Sequence, residues 1–83
     1  MNPRVKKVTP IERYKLRIEF SNGEIGDYDC TPLLEFGVFK ELKNVQYFKS
    51  VKVAGGTVAW PNEQDICPDT LYLDSIRLSE KRA

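Results

Sequence analysis

Eighty-three residues, 41% of them apolar and 30% charged, with nine aromatic side chains and no histidine, exclude a disordered tail and suit a single folded unit. A chain this short buries only about 60–65% of its unfolded surface, so its core is lean. The formal net charge of +1 is unevenly spread: Arg4, Lys6, Lys7, Arg13, Lys15 and Arg17 face Glu12 alone up to Arg17, whereas Glu63, Asp65, Asp69 and Asp74 stand between Val53 and Ile76 without a basic residue. Such segregation predicts one basic and one acidic face, or simply two solvated surfaces that keep the protein soluble. No apolar run approaches the ~18–20 residues of a membrane span, and Met1–Lys7 leads into nothing like a secretory leader, so the expected location is cytoplasmic.

Val5 to Ile11 reads as a short strand, limited by Pro3 and Pro10 and therefore suited to a sheet edge. Tyr14-Lys15-Leu16-Arg17-Ile18-Glu19-Phe20 alternates apolar and charged residues, the pattern of a half-buried antiparallel strand. Asn22-Gly23 then suits a two-residue hairpin turn, which sets Phe20 opposite Ile25. That register puts Tyr28 on the polar face. A bulge near Gly26 would repair it, bringing Tyr28 opposite Ile18 and Cys30 opposite Leu16.

Thr31-Pro32 reads as a helix start, with the Thr31 hydroxyl as cap and proline at the first helical position. Gly37 cuts that helix short. Val38–Leu42 and Asn44–Phe48 read as further helical turns whose Phe36, Phe39, Leu42, Val45, Tyr47 and Phe48 are expected in the core, covering one face of the sheet. A second hairpin follows around Gly55-Gly56, with Val53 opposite Val58 and Val51 opposite Trp60. Asn62–Asp65 reads as loop, and Pro68-Asp69-Thr70-Leu71-Tyr72 opens a last helix that fades into residues 79–83. The predicted class is α+β: a small antiparallel sheet of two hairpins plus an edge strand, covered by short helices, with a C-terminal helix.

Enzymatic machinery is hard to assemble from these residues. Without histidine, a serine or cysteine nucleophile lacks its usual base. Gly55-Gly56 sits between strands and lacks the lysine and hydroxyl of a phosphate loop. Asp27 and Asp29 share a sheet surface, where a solvated carboxylate pair does not shift pKa usefully for catalysis, and the stretch lacks the rest of a calcium loop. Cys30 and Cys67 match no zinc or dithiol spacing and are expected as free thiols. Cys67 precedes Pro68, where helix amides could lower its pKa; the simpler reading makes it a small residue packed at a loop-helix junction. No cofactor and no metal site is expected, and the chain is read as a non-enzyme.

The segment from Trp60 to Tyr72 has the make-up of an interaction surface, a polar acidic loop bounded by aromatic residues. Trp60, Glu63, Asp65, Asp69 and Tyr72 are the candidate partner-binding residues. Trp60 also lies on the inward face of the second hairpin, which suits the core, and Asp65 could brace the turn before the last helix.

Trp60-Pro61-Asn62-Glu63-Gln64-Asp65-Ile66-Cys67-Pro68-Asp69-Thr70-Leu71-Tyr72 resembles the DUF2442 family of small bacterial proteins. So do Phe20-Ser21-Asn22-Gly23, Asp29 before Thr31-Pro32-Leu33-Leu34, and Phe39 to Leu42 followed by Phe48. The likeness covers nearly the whole chain as one domain. Glu63 stands where relatives often have glycine, which suggests a loop without positive φ, and Cys67 where cysteine is not characteristic, which weakens a redox role. The resemblance implies an α+β fold and no defined chemistry. Some relatives precede a helix-turn-helix, for which this chain has no room. Others are encoded beside a small toxin-like partner, which implies an antitoxin role.

Two functional readings follow. In the first, a protein-binding module uses the acidic segment to hold a small basic protein. In the second, Arg4, Lys6, Lys7, Lys15 and Arg17 bind nucleic acid, although Tyr14 and Phe20 face inward and leave no aromatic ring among the basic groups. No membrane partner is expected, and either a monomer or a homodimer through the edge strand is consistent with the pattern.

Overall fold

The computed structural model describes residues 2–78. In chain order it contains β1 (Val5–Ile11), β2 (Lys15–Phe20), β3 (Ile25–Asp29), a 3-10 turn over Thr31–Leu33, a longer 3-10 helix over Gly37–Lys43, α1 (Val45–Phe48), β4 (Lys52–Ala54), β5 (Thr57–Ala59), β6 (Asp65–Ile66), α2 (Pro68–Asp74) and β7 (Ile76–Arg77). The class is α+β, as the patterning predicts. The hairpins, however, belong to two antiparallel sheets, ordered β1-β2-β3-β7 and β4-β5-β6. Each sheet gains a two-residue strand, too short to show a period. Asp65 therefore belongs to a strand and not to a loop, and α2 ends at Asp74 where β7 was not expected; the predicted fading over 79–83 lies outside the described residues.

The first hairpin has the right faces by a different route. Gly23 N–H donates to the Phe20 carbonyl at 2.9 Å, Phe20 N–H to that of Glu24 at 2.8 Å, and Gly23 is left-handed at φ 89. This is a three-residue turn over Ser21, Asn22 and Gly23, whose last residue supplies the extra unit that the sequence had suggested near Gly26. Pairing then runs without a break: Glu19 opposite Ile25, Ile18 opposite Gly26, and Leu16 opposite Tyr28. Tyr28 is buried as expected, but it faces Leu16 instead of Ile18, Cys30 N–H meets the Tyr14 carbonyl, and Ile25 points outward.

Gly26 has another task. A Cβ there would lie 2.8 Å from Ser75 Oγ and 3.3 Å from the Ile76 carbonyl oxygen, so the absent side chain admits β7 beside β3. β1 occupies the opposite edge, carrying Pro10 and a register shift between Val5 and Lys7. Its start joins the second sheet, where Val5 N–H donates to the Gly56 carbonyl at 2.9 Å.

Asp29, and not the Thr31 hydroxyl, satisfies the first free amide of the 3-10 turn: Thr31 N–H donates to Asp29 Oδ1 at 2.9 Å. Hydrogen bonding from the Thr31 side chain, and after it this backbone bond, holds the carboxyl below its ordinary pKa. Asn44 caps α1, accepting from Gln46 and Tyr47 N–H. Leu42 and Phe48 are buried and Phe39 and Tyr47 pack against them, but Phe36 is 63% exposed and Val45 47%, so the helical aromatic segment is core only along one side. The second hairpin turns through Gly55 and Gly56 at φ 59 and 81, with Val53 opposite Val58. Its ladder ends at Lys52–Ala59, short of the expected Val51–Trp60 pair. A single apolar cluster links Leu16, Ile18 and Phe20 of the first sheet to Val58 and Ile66 of the second, with Trp60, Leu42, Phe48 and Leu71 between.

Candidate partner-binding surface

β5 and β6 are joined by the same device that closes the first hairpin. Glu63 N–H donates to the Trp60 carbonyl at 2.9 Å, and Trp60 N–H to that of Gln64 at 3.0 Å. The position equivalent to Gly23 is Glu63, which adopts φ 72. The expectation of a turn without positive φ is thus overturned: the two hydrogen bonds fix the chain reversal whatever side chain occupies the site.

Buried groups hold this turn in place. The Trp60 ring lies in the core, its indole N–H donating to the Phe48 carbonyl at 2.9 Å. Gln64 is 3% exposed, yet its amide is matched on both sides: it donates to the Val38 carbonyl at 2.9 Å and Glu41 at 3.0 Å, and accepts from Tyr47 Oη at 2.6 Å. Tyr47 Oη accepts in turn from Asn62 N–H at 2.8 Å, and the Asn62 amide donates to both Glu41 carboxylate oxygens. A network with every member paired, running from buried Gln64 out to exposed Glu41 and Asn62, fixes its residues firmly. It presents Glu63 outward on an ordered backbone.

The acidic run continues along β6 and α2. Asp65 is exposed and pairs through its backbone with Ala59, while Ile66 turns into the core and its carbonyl accepts from the Thr57 hydroxyl. Cys67 precedes α2 and is exposed, which contradicts its expected packing at the junction. Asp69 is exposed and accepts from the Asn2 amide at 3.2 Å. Leu71 points into the core; two residues on, about 200° around the helix, Leu73 is 65% exposed. Asp74 is exposed beside it.

Tyr72 is half-buried, its hydroxyl donating to Glu24 Oε1 at 2.6 Å and its ring stacked under the Arg77 guanidinium at 4.2 Å. Arg77 also reaches Glu24 at 3.5 Å and donates to the Tyr72 carbonyl at 2.9 Å. Of the five nominated residues, Glu63, Asp65 and Asp69 therefore face solvent, whereas Trp60 is buried and Tyr72 half-buried. Leu73 was missed, though its two-residue offset from the apolar Leu71 was the signal that it could not share that buried face.

Two of the six basic residues from Arg4 to Arg17 are engaged in ion pairs among the described residues. Arg17 makes a two-point bond to Asp27 at 2.9 and 3.0 Å, which raises the arginine pKa, and Lys6 lies 3.7 Å from Glu19. Among the described residues, Glu63, Asp65, Asp69 and Asp74 form no ion pair. Buried Phe20, and Tyr14 with its hydroxyl bonded to the Lys43 carbonyl at 2.5 Å, offer no free ring among the basic groups. No group of three or more potential metal ligands occurs among the described residues, and no helix there is long and apolar enough to cross a membrane.

A family model described as a protein of unknown function, DUF2442, matches residues 5–77. No curated protein and no solved structure matches the chain.

Proposed function

The chain belongs to the DUF2442 family, and from that premise we propose that it is a non-catalytic protein-binding module whose docking surface runs from Glu63 to Asp74. The observation that carries this reading is an acidic run free of ion pairs among the described residues, held on an ordered turn, strand and helix, with Leu73 exposed on the same helix as Asp69 and Asp74. Carboxylates with an exposed apolar side chain on the same helix favour a basic partner that also offers an apolar side chain. A small basic protein, such as an RNA-cleaving toxin held by an antitoxin, has that chemistry: acidic groups over a basic cleft would block its access to RNA.

The test is a pull-down of the tagged chain from native lysate at low and high salt, repeated with Asp65→Lys and Leu73→Ala. Release of one small basic protein by salt, with affinity lowered about tenfold or more by charge reversal, supports the proposal. Capture indifferent to Asp65→Lys would refute the acidic surface. Recovery of nucleic acid alone would transfer the function to Arg4, Lys6, Lys7, Lys15 and Arg17. The geometry favours that reading less, since Arg17 and Lys6 of these five are engaged with Asp27 and Glu19, and buried Phe20 and hydrogen-bonded Tyr14 offer no free ring among them.

A further inference from the structure

A cavity lies far along the chain from the acidic run. It is a groove of about 400 Å³ between the β1–β2 turn and α1, with Pro10, Ile11, Tyr14, Val45 and Phe48 as apolar walls and Glu12, Arg13 and Lys49 at its charged rim. Its volume falls in the range of small-ligand sites.

Two features set this groove apart from a chance surface dimple. Arg13 and Tyr14 are consecutive left-handed residues, at φ 65 and 60, a conformation unfavourable by about 1–2 kcal/mol for each side-chain-bearing residue. The turn is nevertheless fixed from several sides: Tyr14 Oη donates to the Lys43 carbonyl at 2.5 Å, its ring meets Phe48 edge-on at 5.4 Å, and its carbonyl accepts from Cys30 N–H at 2.9 Å. The groove wall is preformed. The second feature is the rim charge. Neither Arg13 nor Lys49 has an ion pair among the described residues, and with Glu12 they leave one net positive charge beside an apolar floor.

We propose that this groove binds a small carboxylate with an apolar body, the acid group held by Arg13 and Lys49 and the body lying on Pro10, Ile11 and Val45. An apolar floor alone would take a neutral hydrophobe equally well; the two unpaired cations select the anion. Guanidinium and ammonium donors form charge-assisted bonds to carboxylate, stronger than neutral ones.

The probe is 3-phenylpropionate, titrated into isotope-labelled full-length protein and followed by amide chemical shifts, with 3-phenylpropanol as the neutral control. A ligand of this size at an open site binds with a dissociation constant on the order of 1 mM. Saturable shifts confined to Arg13, Tyr14, Val45, Phe48 and Lys49 are expected, with the alcohol about tenfold weaker. Arg13→Gly relieves the left-handed strain while removing a cation, so weakened acid binding in that variant cannot be blamed on lost folding. Val45→Trp, which fills the groove from an exposed position, should abolish the shifts. Absence of saturable shifts, shifts mapping elsewhere, or equal binding of the alcohol would each overturn the assignment.

Discussion

Glu63 carries a backbone conformation that glycine would adopt without strain, and its side chain makes no ion pair among the described residues to offset the difference. Replacing it by glycine should therefore stabilise the fold by about 1 kcal/mol, read as a higher urea midpoint at unchanged slope; a lower midpoint would show that the carboxylate contributes more than the strain removes. Cys30 makes the opposite case, a side chain whose burial has a measurable signature. Loss of solvent, with Asp29 nearby, pushes its thiol up to about 12 from an ordinary 9.0. Tyr28 is raised too, chiefly by burial. Both groups have higher pKa values folded than unfolded, so their contribution is complete below the unfolded values and disappears as pH climbs through the folded ones. Stability should decline from about pH 9 towards pH 12, and Cys30→Ala should flatten part of that decline while lowering stability at neutral pH. A parallel decline in the variant would remove Cys30 from the account.

Among the elements, β7 depends on a residue distant in sequence. Gly26→Ala would drive a methyl group against Ser75 and the Ile76 carbonyl, at an expected loss of about 1–3 kcal/mol. Leu78 N–H, which donates to the Ile25 carbonyl at 2.8 Å, should then exchange with solvent faster than the amides of the β1–β2 ladder. Unchanged protection at Leu78 would show that the strand accommodates the methyl group. This element also marks how far the fold was legible. The alternation from Tyr14 to Phe20 announced β2 because every second side chain had a clear environment, and the two glycines at 55 and 56 announced a tight turn because they accept positive φ. By contrast, β6 and β7 are paired over two residues each, and their existence depends on neighbours that local patterning does not contain. Glu63, Asp65 and Asp69 could be nominated from charge alone. The support beneath them could not, because Gln64 and Glu41 read as ordinary surface residues until the fold brings them together.

Across the whole molecule, one apolar cluster spans both sheets, with Trp60 among its members beside Phe48. The sheets should consequently unfold together: in urea, the fluorescence of Trp60, the single tryptophan, and the far-ultraviolet circular dichroism of the backbone should give coincident transitions. Separated midpoints would mean that the second sheet loosens alone. The hydrogen bonds of the first hairpin turn also bear on the lifetime of the protein. Asn-Gly sequences age by attack of the glycine nitrogen on the asparagine amide carbon, which releases ammonia and leaves a cyclic imide; water then opens the ring, and opening at the original backbone carbonyl reroutes the main chain through an extra methylene. Here Gly23 N–H is committed to the Phe20 carbonyl, and Asn22 Oδ1 accepts from Glu24 N–H at 3.1 Å. Folding should shield Asn22 from deamidation. Mass mapping after long incubation should find the altered peptide in denaturant well before it appears in native buffer, and equal rates would show that the folded turn gives no protection. A chain that remains folded would keep its hairpin chemically intact, while each excursion to the open state exposes it to irreversible damage.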